Sequence, residues 1–346
     1  MRILVAGGAG FIGSHYVRTL LTGGYSSCRD ASVTVLDKLT YAGNLANLES
    51  VAESPRFEFV KGDICDAPLL RSVLPGHDAV INFAAETHVD RSIAGAAEFA
   101  ATNVAGVQIL LEACLETKVP RVVQVSTDEV YGSVASGSWT EDTPLAPNSP
   151  YSAAKAGGDL MARAYARTHE LNVSITRCCN NYGPYQYPEK VIPLFITNLM
   201  DGNPVPLYGD GLNVRGWIHV DDHCQGIQLV LERGECGRIY HINGDIELTN
   251  RELTVAILEA CDADWDMVTM VEDRKGHDRR YSLDDSVLRA IGYEPRIPFA
   301  AGLRSTVQWY MENRDWWEPL RRADRGTGTR MPSGSDAFAH EDGHAG

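Results

Sequence analysis

Residues 126–155 hold five side chains that can move or hold protons. They are a hydroxyl, two neighbouring carboxylates, a phenol and an ammonium: Thr127, Asp128, Glu129, Tyr151 and Lys155. A phenol is a poor base at neutral pH, because the ordinary pKa of tyrosine is about 10. Tyr151 can act as a base only if a cation favours its phenolate, and Lys155 or a cationic cofactor ring could supply that charge. The segment therefore predicts a proton-transfer site.

Two predicted elements must position these groups. Residues 121–125 form a short apolar run that predicts a buried strand, so the hydroxyl and the acid pair follow at its carboxyl end, where open α/β sheets bind ligands. Ser149 fits an N-cap and Pro150 the first position of a helix. That helix would place Tyr151 and Lys155, four residues apart, on one face. A tyrosine and a lysine at this spacing are more often a packed ring and a solvated charge than a catalytic pair. Other segments of the sequence must therefore show whether this pair is catalytic.

A glycine-rich turn follows the first predicted strand, residues 3–6. Gly7, Gly10 and Gly13 have the spacing G-x-x-G-x-x-G, and Gly8 completes the tighter G-x-G-x-x-G. Glycines allow a sharp turn and let a pyrophosphate approach a helix N-terminus, where N–H groups and the helix dipole favour an anion. The turn therefore predicts a dinucleotide site.

An acid in the expected place strengthens this prediction. The second predicted strand, residues 33–36, ends at Asp37, 24 residues after Gly13. A carboxylate there can accept hydrogen bonds from the adenosine ribose and would repel a 2′-phosphate, which favours NAD over NADP. Lys38 beside it leaves NADP open, because a neighbouring cation could tolerate the phosphate.

Two later segments allow a structural as well as a functional interpretation. Asp63 could reach the adenine or cap a helix, and the small residues Ala84 and Ala85 could let a cofactor pass or pack a helix tightly. A long apolar helix over residues 96–116, with the helix after Tyr151, offers surface for self-association. Burial against the chain's own sheet would explain the same pattern.

Composition narrows the classes of protein. The chain has 346 residues and a net charge of −15, which argues against nucleic acid as a partner. We find no signal peptide and no membrane span in the sequence. The eight cysteines lack metal-site or C-x-x-C spacing, so we predict free thiols in a reducing cytoplasm and no metal.

The order of elements predicts an α/β fold: a Rossmann-type doubly wound parallel sheet with a smaller C-terminal α/β substrate-binding domain. We place the NAD-binding domain mainly at residues 1–180 and the nucleotide-sugar-binding domain mainly at 181–321, with chain crossings back to the first. Residues 322–346 are predicted to be a disordered tail. Arg215, Arg274 and His277 are candidates to hold a diphosphate, because cationic donors bind phosphate oxygens strongly.

Eight segments together carry a family resemblance: GGAGFIG, LDKLTYAGN, FAAETHVDRS, STDEVYG, SPYSAAKAGGD, CCNNYGPYQYPEK, DDH and DRKGHDRRY. Over roughly residues 1–317 the chain resembles the extended short-chain dehydrogenase/reductases, and within them the dTDP-glucose 4,6-dehydratase family. The specific mark is the acid pair after Thr127, which relatives that only epimerise C4 lack.

The resemblance implies dehydration of dTDP-glucose to its 4-keto-6-deoxy product, a lyase reaction of deoxysugar biosynthesis. Tyr151 would take the C4 hydroxyl proton as the C4 hydride moves to NAD, and Thr127 would hydrogen-bond the C4 oxygen. Glu129 would then remove the C5 proton and Asp128 would protonate the departing C6 hydroxyl, before the hydride returns to C6. Lys155 would hold the ribose and lower the pKa of Tyr151.

The resemblance also implies a homodimer built on the two helices described above, in the cytoplasm. Contacts with NAD are implied for Gly7, Gly10, Phe11, Ile12, Gly13, Asp37, Lys38, Leu39, Thr40, Asp63, Ile64, Phe83, Ala84, Ala85, Thr102, Tyr151, Lys155 and Asn181. Contacts with the nucleotide sugar are implied for Thr87, Thr127, Asn180, Lys190, Pro206, Leu207, Tyr208, Arg215, Asn250, Arg274 and His277.

The chain departs from the family pattern at three positions. Thr87 replaces a usual serine, Lys275 a common proline, and Gly216 a usual acid. We expect Arg215 to lose a local carboxylate partner and to sit more loosely on the phosphate, so that glutamate at position 216 would lower KM. Two alternatives remain: another NAD-dependent nucleotide-sugar epimerase or decarboxylase, and a non-catalytic NAD-binding sensor.

Overall fold

A computed structural model describes residues 1–273 and 276–326, with side chains through residue 322. The chain forms two compact units. The first comprises Met1–Asn181, Arg215–Glu247 and Asp278–Phe299, and the second Tyr182–Val214, Leu248–His277 and the chain from Ala300. The sequence had placed the change of domain near residue 180, with crossings back to the first domain.

The strands and helices alternate through most of the first half of the chain. The strands are β1 (Arg2–Ala6), β2 (Ser32–Asp37), β3 (Phe57–Lys61), β4 (Ala79–Asn82), β5 (Val122–Thr127), β6 (Val173–Cys178), β7 (Asn180–Tyr182), β8 (Val205–Tyr208), β9 (Val214–His219), β10 (Ile239–Ile242), β11 (Ile246–Thr249) and β12 (Val268–Val271). The α-helices are α1 (Phe11–Leu21), α2 (Ala67–Val73), α3 (Val89–Ala94), α4 (Ala97–Ala100), α5 (Val107–Glu116), α6 (Pro150–His169), α7 (Val191–Met200), α8 (Val220–Arg233), α9 (Asn250–Ala260), α10 (Ser286–Ala290), α11 (Phe299–Glu312) and α12 (Arg314–Gly326).

The first unit contains a seven-stranded sheet in the order β10-β6-β5-β4-β1-β2-β3. Each neighbouring pair is parallel, with Val5 opposite Val35 and Ile81, and Val123 opposite Ile81. The order of strands reverses between β1 and β4, and ligands bind at such a point beyond the carboxyl ends of the strands. The prediction of a Rossmann-type doubly wound sheet is confirmed.

Helices cover both faces of this sheet because its strands are apolar on both sides. Alternate residues of β1 enter different cores: Ile3 and Val5 pack in one cluster with α1 and α8, while Leu4 packs in the other with α5 and α6. The carboxyl edge is thereby left as the part of the sheet that can bear chemistry.

The run Ala97–Glu116 consists of α4, a π-helical segment (Ala101–Gly106) and α5. By length and composition it could cross a membrane, contrary to our expectation from the sequence. Half of its most apolar window is nevertheless buried within the protein, and Leu110 and Leu111 belong to the core under the sheet. A core helix of a soluble protein has the same properties.

The second unit contains a parallel pair of strands, β8 and β12, with Pro206 opposite Thr269 and Tyr208 opposite Val271. Helices α7 and α9 pack against β8. Helix α12 continues to Gly326, so residues 322–326 are helical rather than part of a disordered tail. Residues 327–346, the rest of that predicted tail, lie outside the described residues.

Candidate active site

The acid pair lies in a 3₁₀ turn, Asp128–Tyr131, that directly follows β5; we call it the acid-pair turn. Thr127 caps this turn, because its hydroxyl oxygen accepts from Glu129 N at 3.3 Å. The same hydroxyl lies 3.2 Å from Asp128 Oδ1 and donates to it. Asp128 is 2 % exposed, and its Oδ2 has no hydrogen-bond partner within the described ranges. One carboxylate oxygen is therefore buried with its hydrogen-bonding capacity unused.

The acid-pair turn keeps Asp128 in its acid form. Burial and the neighbouring charge of Glu129 raise the pKa of Asp128 to about 8, against the opposing pull of the Arg215 guanidinium. A carboxyl with that pKa is protonated at neutral pH and can donate a proton. Glu129 is only half-buried. The two carboxyls thus lie in environments that suit different roles.

Helix α6 presents the tyrosine and the lysine, and we call it the tyrosine–lysine helix. It begins at Pro150 with Ser149 as N-cap, which confirms the predicted start, and Ser152 N donates to Ser149 Oγ at 3.1 Å. The Lys155 ammonium lies 2.8 Å from Val125 O and donates to it. Burial lowers the pKa of Lys155, and the Asp159 carboxylate one turn later opposes this.

Tyr151 is a neutral phenol when the chain is considered alone. Burial and the charge of Glu129 keep its pKa well above the ordinary value, although a hydrogen bond with the Thr127 side chain lowers it in part. The lowering expected from the sequence therefore requires further positive charge beside the phenol. A bound cationic ring would supply it.

The glycine turn between β1 and α1 fits a dinucleotide. Gly7 has φ +74°, and a Cβ there would lie 2.5 Å from Ala84 N, so no other residue fits without strain. Gly10 caps α1 without a side-chain hydrogen bond. The first N–H groups of an α-helix have no partner within it, so this end of α1 can bind a pyrophosphate.

The carboxylate at the end of β2 braces this turn. Asp37 Oδ2 accepts from Ala9 N at 2.9 Å and Oδ1 from Leu39 N at 2.8 Å. Lys38 Nζ lies 3.4 Å from Asp63 Oδ2 and 3.6 Å from Glu86 Oε1. The charge of Lys38, which could have tolerated the 2′-phosphate of NADP, is thus balanced by two carboxylates. The arrangement favours NAD.

Replacing Asp37 by asparagine should weaken NAD binding about tenfold or more, because a hydrogen bond to a charged acceptor contributes ~1.5–3 kcal/mol. Calorimetric titration of the protein with NAD and NADP measures the effect, with the exposed Asp30→Asn as control. Equal NAD affinity in the Asp37 variant and the wild type would contradict it.

The other predicted site residues of the first unit lie in α1, in the π-helical segment, in β7 and in the segments that follow β2, β3 and β4. Thr102 is buried in the π-helical segment, Asn180 and Asn181 lie in β7, and the Tyr41 hydroxyl donates to Thr87 O at 3.2 Å. The remaining predicted cofactor residues are Phe11, Ile12 and Gly13 in α1, Thr40 after β2, Ile64 after β3, and Phe83 and Ala85 after β4.

Four segments of the second unit hold the other predicted substrate residues. Lys190 is the N-cap residue of α7, Asn250 begins α9, and Pro206, Leu207 and Tyr208 belong to β8. His277 Nδ1 lies 2.6 Å from Asp273 Oδ1, beyond the carboxyl end of β12, which is next to that of β8. Arg274 lies outside the described residues.

Arg215 is firmly held within the first unit. Its Nη2 donates to Asp278 O at 2.8 Å, and its guanidinium lies 4.0 Å from the centre of the Tyr281 ring. The Tyr281 hydroxyl donates to Asp278 Oδ2 at 2.8 Å. Arg215 is thus held by residues far along the chain even without an acid at position 216. Sequence reasoning had overlooked Asp278 and Tyr281, although their spacing within the segment DRKGHDRRY was visible.

Gly216→Glu should destabilise the protein and leave KM no lower than in the wild type. A Cβ at position 216 would lie 3.1 Å from both Asn243 Oδ1 and Cys179 Cβ, and overpacking of this kind costs ~1–3 kcal/mol. The melting temperature and KM measure both effects. Gly95→Ala is the control, since nothing lies within 4 Å of a Cβ there. A lower KM with an unchanged melting temperature would restore the earlier expectation.

The fold and this site together define a short-chain dehydrogenase/reductase of the extended class. The family model described as GDP-mannose 4,6 dehydratase matches residues 4–306. The dTDP-glucose 4,6-dehydratase of Streptomyces niveus is 58 % identical over 96 % of this chain and 100 % of its own length. That of Streptomyces griseus is 59 % identical over 92 % of this chain and 96 % of its own.

Solved structures agree with these relatives. The crystal structure of DesIV, a dTDP-glucose 4,6-dehydratase from Streptomyces venezuelae solved with NAD bound, has a TM-score of 0.91 and 64 % identity. The match covers 92 % of this chain and 100 % of that one. The chain belongs to the dTDP-glucose 4,6-dehydratase family, as the sequence motifs predicted.

Proposed function

We propose that the protein is a lyase that dehydrates dTDP-glucose to dTDP-4-keto-6-deoxyglucose, with NAD as its cofactor, in deoxysugar biosynthesis. The observation that carries this proposal is the acid pair, a buried Asp128 followed by a half-buried Glu129, beside the tyrosine. An enzyme that only moves a hydride at C4 needs the hydroxyl, the phenol and the lysine, whereas loss of water across C5 and C6 needs a further base and a further acid.

The acid-pair turn supplies both groups. The half-buried Glu129 removes the C5 proton once C4 has become a ketone, because the ketone acidifies that neighbouring position. Asp128, kept protonated by burial and by Glu129, gives its proton to the departing C6 hydroxyl. Water leaves and the C5–C6 double bond forms, so protons and electrons balance. Thr127 binds the C4 oxygen while Tyr151 takes the C4 hydroxyl proton.

The glycine turn, Asp37 and the residues after β4 would hold NAD. When bound there, NAD would supply hydride transfer from C4 to C6, and it would end oxidised. Glu129 gives its proton back to C5 as C6 receives the hydride. Lys155 donates to the nicotinamide ribose in this proposal, with its ammonium already fixed at Val125 O. The engaged Lys38 supports NAD over NADP.

Cationic and polar side chains would bind the nucleotide diphosphate. Arg215 supports this role because it is a cation whose guanidinium is fixed in position by the Asp278 carbonyl oxygen and the Tyr281 ring face. Lys190, Asn250 and His277, with the β8 residues, are proposed to contact the nucleotide sugar. Arg274 is proposed from the sequence alone.

We also propose a cytoplasmic homodimer. The cysteines of the chain are all free, which fits a reducing compartment. Leu160 on the tyrosine–lysine helix is 53 % exposed and Ile93 on α3 is 51 % exposed, so apolar surface is available beside the helices assigned to the dimer. Sedimentation equilibrium tests the oligomeric state, and a mass of one chain would contradict the dimer.

The function is tested by incubating the purified protein with dTDP-glucose and no added NAD, and following the sugar by mass spectrometry and NMR. We expect loss of one water and a 4-keto-6-deoxy product, with retained NAD regenerated in each turnover. UDP-glucose in competition tests the preference for thymine. An intact sugar after NAD has been added and shown to bind would overturn the proposal and favour the sensor.

A further inference from the structure

A buried chain of hydrogen bonds runs beside the catalytic groups of the first unit. Its centre is Arg177, the last residue but one of β6, which lies opposite Ser126 in the sheet register. Arg177 Nε donates to Asp159 Oδ2 at 2.8 Å, and both side chains are at most 1 % exposed. Arg177 Nη1 donates to the Tyr131 hydroxyl at 2.5 Å. One guanidinium therefore bonds to two elements at once.

Each of these elements carries a different part of the proposed chemistry. Tyr131 ends the acid-pair turn and lies three residues after Asp128, which places the two side chains on one face of a 3₁₀ helix. Asp159 lies on the tyrosine–lysine helix, four residues after Lys155 and on its face. Arg177 is thus bonded beside the elimination groups on one side and beside the redox groups on the other.

The Tyr131 hydroxyl is fixed from a second direction. It lies 2.6 Å from His241 Nε2, and His241 Nδ1 lies 2.8 Å from Asp284 O. A carbonyl can only accept, so Nδ1 carries the proton and Nε2 accepts from the phenol. Burial and the Arg177 cation lower the pKa of His241 to about 4, and burial raises that of Tyr131 to about 12. In this chain of hydrogen bonds, His241 therefore stays neutral and Tyr131 stays protonated at neutral pH.

Stability alone does not explain a buried ion pair of this kind. The free energy needed to remove two charges from water can equal or exceed the free energy of their attraction. Apolar residues of similar volume often stabilise a core equally well. An arginine fork does have one property that apolar residues lack, because it fixes the direction of two partners.

We propose that Arg177 is a positioning residue: through Tyr131 and Asp159 it holds the acid-pair turn in register with the tyrosine–lysine helix. The oxidation at C4 and the elimination at C5 and C6 require the same sugar to face both elements. An arginine bonded to both keeps their spacing constant between the two steps. This inference rests on the proposed function, since it assigns the two elements to two steps of that reaction.

The test compares Tyr131→Phe and Asp159→Asn by isotope effects on kcat with substrate deuterated at C4 or at C5. Tyr131→Phe frees the acid-pair turn, so kcat should fall about tenfold, equal to ~1.4 kcal/mol in the barrier, and the ratio of the C5 to the C4 effect should rise. Asp159→Asn removes the carboxylate charge that acts on Lys155, so it should slow the oxidation at C4 instead. The ratio of the C5 to the C4 isotope effect should therefore fall. KM should stay at the wild-type value in both variants.

Opposite changes on the two sides of Arg177 separate positioning from a merely structural role, which would lower stability without changing the ratio. Tyr293→Phe is the matched control, because this buried phenol donates to Asn243 O outside the chain of bonds. Should Asp159→Asn not fold, Asp159→Glu replaces it, and Arg177→Lys serves as a further variant on the side of the acid-pair turn. A lysine keeps the charge but cannot bond both partners as a fork, and it should raise the ratio as Tyr131→Phe does.

Wild-type isotope ratios in Tyr131→Phe or in Arg177→Lys would overturn this inference while leaving the dehydratase intact. A wild-type protein that does not release water from dTDP-glucose would overturn the proposed function and this inference with it.

Discussion

Tyr151→Phe is expected to lower kcat by about 10³-fold, within the range that a positioned acid or base contributes. In the proposed reaction the phenol takes the C4 hydroxyl proton, and no later step can begin until C4 is a ketone. KM should change little, because the phenol contributes one hydrogen bond among many to substrate binding. A steady-state assay of product formation measures both constants.

The same variant also tests how the phenol becomes a base. In the chain alone, burial and Glu129 hold the pKa of Tyr151 well above its ordinary value. Binding of NAD should lower that pKa, because a cationic ring favours the phenolate. Ultraviolet titration of the phenolate with and without NAD, in the wild type and in Tyr151→Phe, isolates this one group. An identical titration with and without NAD would contradict the role of the ring.

Asp128→Asn is expected to lower kcat by about 10²–10³-fold, because an amide has no proton to give to the departing C6 hydroxyl. Its shape and burial match those of the acid form, so dTDP-glucose should bind as before. Glu129 remains in place in this variant. Exchange of the C5 proton with deuterated water should therefore continue in Asp128→Asn and stop in Glu129→Gln. Loss of exchange in both variants would mean that the two carboxyls do not have separate roles.

Asp128 also predicts the alkaline limb of the pH profile. The proposed reaction requires its acid form, and burial with the charge of Glu129 raises its pKa to about 8, so kcat/KM should fall about tenfold per pH unit above that value. Asp128→Asn should be slower but lack this limb. A wild-type profile that stays flat to pH 9 would contradict the assignment of Asp128 as the acid.

Asp128 should also make the free energy of unfolding depend on pH. Unfolded aspartate loses its proton near pH 4, whereas folded Asp128 holds it to about pH 8. The folded state thus binds more protons between these values, and this group makes the free energy of unfolding decrease as pH rises through that window. Asp128→Asn should flatten this part of the curve in denaturant titrations.

The sequence by itself determined the elements that are encoded by neighbouring residues. Ser149 and Pro150 start the tyrosine–lysine helix through bonds within one turn, and the glycine turn requires Gly7 at a positive φ. The predicted strands over residues 3–6 and 33–36 agree with β1 and β2 within one residue at each end. Such patterns depend on contacts a few residues apart, and an amino-acid sequence displays those directly.

Only the tertiary structure decided which distant groups meet and what charge they carry. Arg177 bonds to Tyr131, 46 residues away, and Tyr131 bonds to His241 across 110 residues. The partners of Arg215 and the lack of room at Gly216 likewise come from segments far along the chain. The acid form of Asp128 depends on burial, which no residue type reveals. Desolvation and long-range contacts arise only when the sheet and its helices pack together, so the chemistry of the site is completed by the fold.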